Sequence, residues 1–207
     1  MFENTDDLFF QKADEFFRFN NLRRFYKSPR SAAIKDSGYY EFIPYRDNLI
    51  NALRFGIERG KRHFIDVGSG IGNQLYAAEY AGFQYLEGVE IDKSYIRKMK
   101  ATWKLHGKVP PTVHNCDALM FDYTKYDFVY MYQPVSDPHA YQFLLDKLTY
   151  DLQQGAFLLE VFCPWYIAAR YKQVYTSSII FEKRLHELIP IGYLNDFSEV
   201  ILINEDN

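Results

Sequence analysis

The chain has 207 residues, enough for one full-sized α/β domain and too few for two ordinary ones. Hydrophobic residues make up 48% and charged residues 25%, a balance that excludes an intrinsically disordered chain. A net charge of -3 and a pI near 6.0 exclude the whole-molecule basic field of a purely electrostatic nucleic-acid binder, though not a local basic groove.

Two cysteines, Cys116 and Cys163, are too few for a disulfide framework and form no CxxC pair, so a reducing compartment is expected. Met1-Phe2-Glu3-Asn4-Thr5-Asp6-Asp7 is acidic and lacks the basic start and apolar run of a signal peptide. No apolar stretch approaches the roughly 18–20 residues that span a bilayer. A soluble, cytoplasmic protein without membrane partners is the expectation. Aromatic residues reach 18%, which an aromatic core explains as readily as a pocket for a flat substrate.

Thr5 to about Tyr26 reads as an amphipathic helix with Leu8, Phe9, Ala13, Phe16, Phe17 and Leu22 on one stripe, capped by Thr5. Arg18, Arg23, Arg24, Lys27 and Arg30 crowd its end, where cations suit the helix dipole. A loop rich in tyrosine, Asp36 to Tyr45, follows. Residues 1–46 are therefore assigned to an N-terminal helical arm and 47–207 to the main domain. Asp47 caps a second helix carrying Leu49, Ile50, Leu53 and Ile57 and closing near Gly60.

From His63 the pattern alternates between strand and helix. Strands are predicted at His63–Val67, Tyr85–Ile91, Thr112–Cys116, Asp127–Tyr132 and Gly155–Phe162, with helices from Gly72 to Gly82, Asp92 to Gly107 and Pro138 to Gln153. Parallel neighbours need a crossover, so this alternation implies a doubly wound, mostly parallel α/β sheet. Ser178–Leu185 and Phe197–Asn204 are strand-like without a helix between them, which predicts an antiparallel pair closing a seven-stranded sheet.

Four features fall at predicted strand carboxyl ends, where open α/β sheets bind ligands. The turn Gly68-Ser69-Gly70-Ile71-Gly72 joins the first strand to its helix, whose free N–H groups suit an anionic or polar ligand. Glu90 ends the second strand near the offset at which a carboxylate accepts from ribose hydroxyls, with Asp92 behind it as a helix cap. Asn115-Cys116-Asp117-Ala118 ends the third strand, and Tyr132-Gln133-Pro134-Val135-Ser136-Asp137 the fourth. Each alone has a bland reading as a turn or a cap; their order and register make the case. The spacing disfavours a dinucleotide site, because a GxGxxG pattern would place glycine where Asn73 stands.

With Asp66 in the strand, the run reads DxGxGxG and resembles motif I of class I S-adenosylmethionine-dependent methyltransferases, over roughly Tyr45 to the C-terminus. Phe64 to Gly72 before Val89-Glu90 is most similar to the lysine methyltransferases of the Dot1 type and to small bacterial relatives. The resemblance implies a Rossmann-like methyltransferase fold with S-adenosylmethionine as cofactor. It implies that Asp66 orients the glycine loop near the cofactor's amino-acid part, and that Gly68, Gly70 and Gly72 pass beneath the methionine. It further implies that Glu90 holds the ribose and that Asp117 and the Ala118 N–H read the adenine.

The fourth-strand segment would then face the methyl group. Amino-methylating relatives carry Asp/Asn/Ser-Pro-Pro-aromatic there, whereas this chain has Gln133-Pro134-Val135, so a protein side chain or small molecule is favoured over a nucleic acid as acceptor. Tyr132 and Gln133 are the candidates for the acceptor pocket. Asp137 is a candidate base with His139, though Asp137-Pro138 also starts a helix. Tyr39, Tyr40 or Tyr45 is expected near the site. The five histidines show no metal-ligand spacing, and no metal is expected. Two other readings stand beside this one: a catalytically silent S-adenosylmethionine-binding subunit or sensor, and a nicotinamide-dependent oxidoreductase, which Asn73 counts against.

Overall fold

The structure is a computed structural model that describes Lys12, Ala13, Phe16 and residues 47–135, 137–161, 178–194 and 200–203. The expected Thr5–Tyr26 helix lies outside the described residues except at Lys12, Ala13 and Phe16, which are helical, with Ala13 and Phe16 buried. The basic cluster Arg18–Arg30 and the tyrosines 39, 40 and 45 also lie outside them.

The elements run α1 (Asp47–Glu58), β1 (His63–Val67), α2 (Asn73–Ala81), β2 (Tyr85–Val89), α3 (Lys93–Leu105), β3 (Thr112–His114), a 3-10 turn (Ala118–Met120), β4 (Phe128–Tyr132), α4 (Pro138–Asp151), β5 (Phe157–Val161), β6 (Ser178–Arg184), β7 (Glu187–Leu194) and β8 (Val200–Leu202). One sheet holds all the strands in the order β3-β2-β1-β4-β5-β6-β7-β8. The first five are parallel, and β5-β6, β6-β7 and β7-β8 are antiparallel. The doubly wound, mostly parallel architecture with an antiparallel C-terminal end is thus as expected. The sheet has eight described strands rather than seven, because β7 separates the two strands anticipated in the tail.

Successive strand residues point to opposite faces, and both faces are apolar because both are covered. Phe64, Tyr130 and Leu159 pack on one side with Leu53 of α1, Leu75 of α2 and Met99 and Trp103 of α3. Ile65, Val129 and Leu158 pack on the other with Tyr141, Leu144 and Leu148 of α4. Burying each such side chain contributes about 1.5–3 kcal/mol. A polar pair interrupts the second layer: Glu160 of β5 is fully buried and accepts a hydrogen bond from the Tyr141 hydroxyl.

Strand order positions the site. The chain moves outward from β1 to β2 and β3, then returns to β4 on the other flank of β1. The carboxyl ends of β1 and β4 therefore flank a topological switch point, where connections leave in opposite directions and open a crevice.

Candidate functional site

The loop after β1 turns sharply. Gly68, Gly70 and Gly72 have φ of 78°, 53° and 85°, all in the left-handed region that other residues adopt at a cost. The Gly68 and Ser69 amides both donate to the Val89 carbonyl at 2.9 Å, and the Gly72 amide donates to the Ser69 carbonyl at 2.8 Å. Gly72 is the cap of α2 and no side chain caps that helix, so its first-turn amides keep the free N–H character of a helix start.

The three glycines face different surroundings. A Cβ on Gly72 would lie 2.6 Å from Met99 Cγ, so this glycine lets α2 and α3 pack closely. A Cβ on Gly68 would lie 3.1 Å from Pro134 Cβ, which puts the glycine loop against the segment after β4. A Cβ on Gly70 would meet nothing within 4 Å. Gly70 borders open space.

Glu90 follows the last residue of β2 and is 8% exposed. Its Oε2 accepts the Gly70 amide at 2.8 Å and its Oε1 accepts the Asp92 amide at 2.8 Å. One carboxylate thereby ties the tip of the glycine loop to the start of α3. An ionised carboxylate offers about four acceptor sites, so capacity remains for further donors. Burial raises the Glu90 pKa against the opposing effect of the Asp92 and Gly70 amides.

Asp66 lies one residue before the end of β1, 2% exposed, with Oδ2 sealed from solvent and without a hydrogen-bond partner. Its pKa is raised well above the usual carboxylate value, first by burial and then by the Glu90 charge. Ser69 Oγ, Asn73 Oδ1 and Gln74 Oε1 are likewise buried without partners. Buried polar groups are normally satisfied, so this concentration at the loop marks a place built for something else to complete.

At the end of β3, the Asn115 amide donates to the Glu90 and Ile91 carbonyls at 3.0 and 2.9 Å, joining the ends of β2 and β3. Asp117 is exposed and its Oδ1 accepts the Leu119 amide at 2.9 Å, capping the 3-10 turn. The Ala118 carbonyl accepts from the Tyr123 hydroxyl at 2.9 Å. At the end of β4, Tyr132 is half-buried and Gln133 has φ of 38°, a left-handed conformation rare for a residue with a side chain. Asp137 caps α4, its Oδ1 accepting the Ala140 amide at 2.8 Å, with Pro138 in the first turn.

The structure thus brings Asp66, Gly68, Gly70 and Glu90 together at the switch point. It sets Gly72 against the core, and Asp117 and Asp137 in capping positions on neighbouring loops. Sequence reading missed Asn115 as a tie between strands, Ile91 as a 52% exposed apolar side chain beside Glu90, and Pro134 as the neighbour of Gly68. It also missed the buried Asn73 and Gln74. Their only signal was two amides at the start of a helix. Among the described residues no group of three or more His, Cys, Asp or Glu side chains could hold a metal. No helix of the described residues is long and apolar enough to cross a membrane.

No protein-family model and no curated protein matches the chain. Solved structures do. It is similar to an RNA methyltransferase from Salinibacter ruber in complex with S-adenosyl-L-homocysteine (21% identity, TM-score 0.46, 57% of this chain and 76% of that one). It is similar to an S-adenosylmethionine-dependent methyltransferase from Clostridium acetobutylicum (12%, TM-score 0.49, 69% and 56%). It is also similar to CalS10, an amino pentose methyltransferase from Micromonospora echinaspora with S-adenosylmethionine bound (20%, TM-score 0.46, 65% and 55%). The chain spans little more than half the length of the last two. None of these three descriptions is of the Dot1 type.

Proposed function

We propose that the chain is an S-adenosylmethionine-dependent methyltransferase whose acceptor is a protein side chain or small molecule. The observation that carries this reading is the Glu90 carboxylate, which holds the Gly70 amide at the switch point of a parallel sheet while the space over Gly70 stays open. The residues present fit the cofactor. The Glu90 carboxylate has acceptor capacity for ribose hydroxyls, and the orphaned acceptors of Asp66, Asn73 and Gln74 suit a donor such as the cofactor's ammonium. Asp117 and the Ala118 N–H, after the carboxyl end of β3, are proposed to read the adenine edge, and the exposed Ile91 after β2 offers an apolar surface for its ring.

When bound, such a cofactor supplies an electrophilic methyl carbon; the protein supplies orientation and electrostatics. Positioning alone contributes on the order of 7–11 kcal/mol. Tyr132 and Gln133 lie at the carboxyl end of β4, beside the glycine loop through Pro134, and are proposed to line the acceptor pocket. The left-handed Gln133 backbone fits that role, since such strain collects at functional sites. Residues 1–46 are proposed as an arm accompanying the domain of residues 47–207.

The test is a transfer screen with methyl-labelled cofactor over proteins, metabolites and RNA. Label transfer to a protein or metabolite supports the reading. Cofactor binding with no transfer to any of them would instead favour a silent cofactor-binding subunit.

A further inference from the structure

We infer that the outer face of α3 is a docking surface for the phosphodiester backbone of a nucleic-acid strand, independently of the cofactor reading. Helix α3 carries Lys93, Arg97, Lys98, Lys100 and Lys104 and no acidic residue. In a chain of net charge -3 these five cations leave the remainder at -8, that is, -3 less +5. Nineteen of the 24 lysines and arginines lie elsewhere in the chain, so what sets α3 apart is that its five cations stand without an acidic residue among them.

Four of the five form a line. Lys93, Arg97, Lys100 and Lys104 are all exposed and follow one another at spacings of four, three and four residues. At 3.6 residues per turn they lie within about 60° of one another around the helix. The buried side chains Ile96, Met99, Thr102 and Trp103 occupy a different face, so packing on the sheet fixes the cationic line toward solvent. No carboxylate among the described residues forms an ion pair with any of the four; the described lysine pairs belong to Lys108, Lys125 and Lys147.

Such an arrangement opposes the helix's own stability. Like charges three or four residues apart destabilise a helix by about 0.2–0.5 kcal/mol per pair. Lys93 also lies in the first turn, where the helix dipole disfavours a cation, whereas Lys104 in the last turn suits it. Charge held against local preference points to a role outside the fold.

The chemistry of the line selects the partner. With a rise of 1.5 Å per residue, the cations are spaced by about 6, 4.5 and 6 Å along the axis, a repeat suited to successive charges on one extended polyanion. A membrane-surface helix needs a broad apolar face to insert, and between Lys93 and Lys104 the apolar face is already buried against the sheet. A regular polyphosphate strand fits better than a lipid surface.

The experiment titrates the full-length chain, without cofactor, into a fluorescein-labelled 20-nucleotide single-stranded RNA of mixed sequence and into the DNA of the same sequence, read by anisotropy between 50 and 200 mM KCl. Four phosphate contacts on a single strand predict a slope of log K against log salt near -2.8, about 50-fold weaker binding over that range. The variant K93A/R97A/K100A/K104A, with circular dichroism confirming its fold, should lose most of that slope and bind at least tenfold more weakly at 50 mM KCl. Salt-sensitive binding of either strand, lost in the variant, supports the assignment. No binding by the unaltered chain, unchanged binding by the variant, or equally tight binding to phosphatidylserine vesicles or polyglutamate would overturn it.

Discussion

Glu90 accepts the Gly70 amide at 2.8 Å, and this single bond fastens the tip of the loop after β1 to the end of β2. The same carboxylate accepts the Asp92 amide, so it is a structural clasp as well as the proposed ribose acceptor. Glu90→Gln would set an amide N–H₂ against one of these backbone donors. Cofactor affinity is expected to fall about 10- to 100-fold, the cost of roughly 1.4–2.8 kcal/mol for a mispaired buried group. Calorimetric titration with S-adenosylhomocysteine checks this, and undiminished affinity would remove Glu90 from the site.

Gly70 and Gly72 separate ligand effects from packing effects. Gly70→Ala places a Cβ in open space at a φ of 53°, so stability should fall by only about 1–2 kcal/mol while cofactor binding drops more than tenfold. Gly72→Ala adds a clash with Met99 to its own strained φ, and should lower thermal stability more than Gly70→Ala does. Melting curves read beside titrations distinguish the two.

Asp66 predicts a pH dependence. Its folded pKa is raised, first by burial and then by Glu90, so the folded state holds its proton more tightly than the unfolded chain. This group's stabilising contribution is full below the unfolded value near 4 and is lost as pH rises through the folded value. Asp66→Asn cannot ionise and should flatten that decline, gaining stability relative to the unaltered chain at pH 8 compared with pH 4.5. Denaturant unfolding at the two pH values measures the difference; an identical pH profile in both proteins would contradict the assignment.

Asp137 is a cap in the structure, its carboxylate occupied by the Ala140 amide. Asp137→Ala should cost about 1 kcal/mol of stability. Once an acceptor is known, a loss of turnover beyond tenfold in this variant, with affinity intact, would show that the carboxylate also serves as a base.

The parallel half of the sheet was readable because both its faces are covered, so β1, β4 and β5 appear as short, nearly continuous apolar runs between glycine and acidic punctuation. Strand β7 was not, since Pro190 and Gly192 interrupt it and both are poor strand residues. Pro190 is accommodated opposite Phe181, next to the register shift between Ile180 and Phe181. Glycine spacing and the Glu90 offset located the loop and its carboxylate, because both are local in the chain. The Gly70–Glu90 bond, the sealed Oδ2 of Asp66 and the contact of Gly68 with Pro134 depend on which strands become neighbours, and no local pattern encodes them.

The most direct measurement is calorimetric titration of the full-length chain with S-adenosylhomocysteine and with NAD, side by side. The predicted result is one-to-one binding of S-adenosylhomocysteine and none of NAD, with the former weakened in Gly70→Ala. Binding of NAD alone, or of neither compound, would contradict the proposed cofactor site.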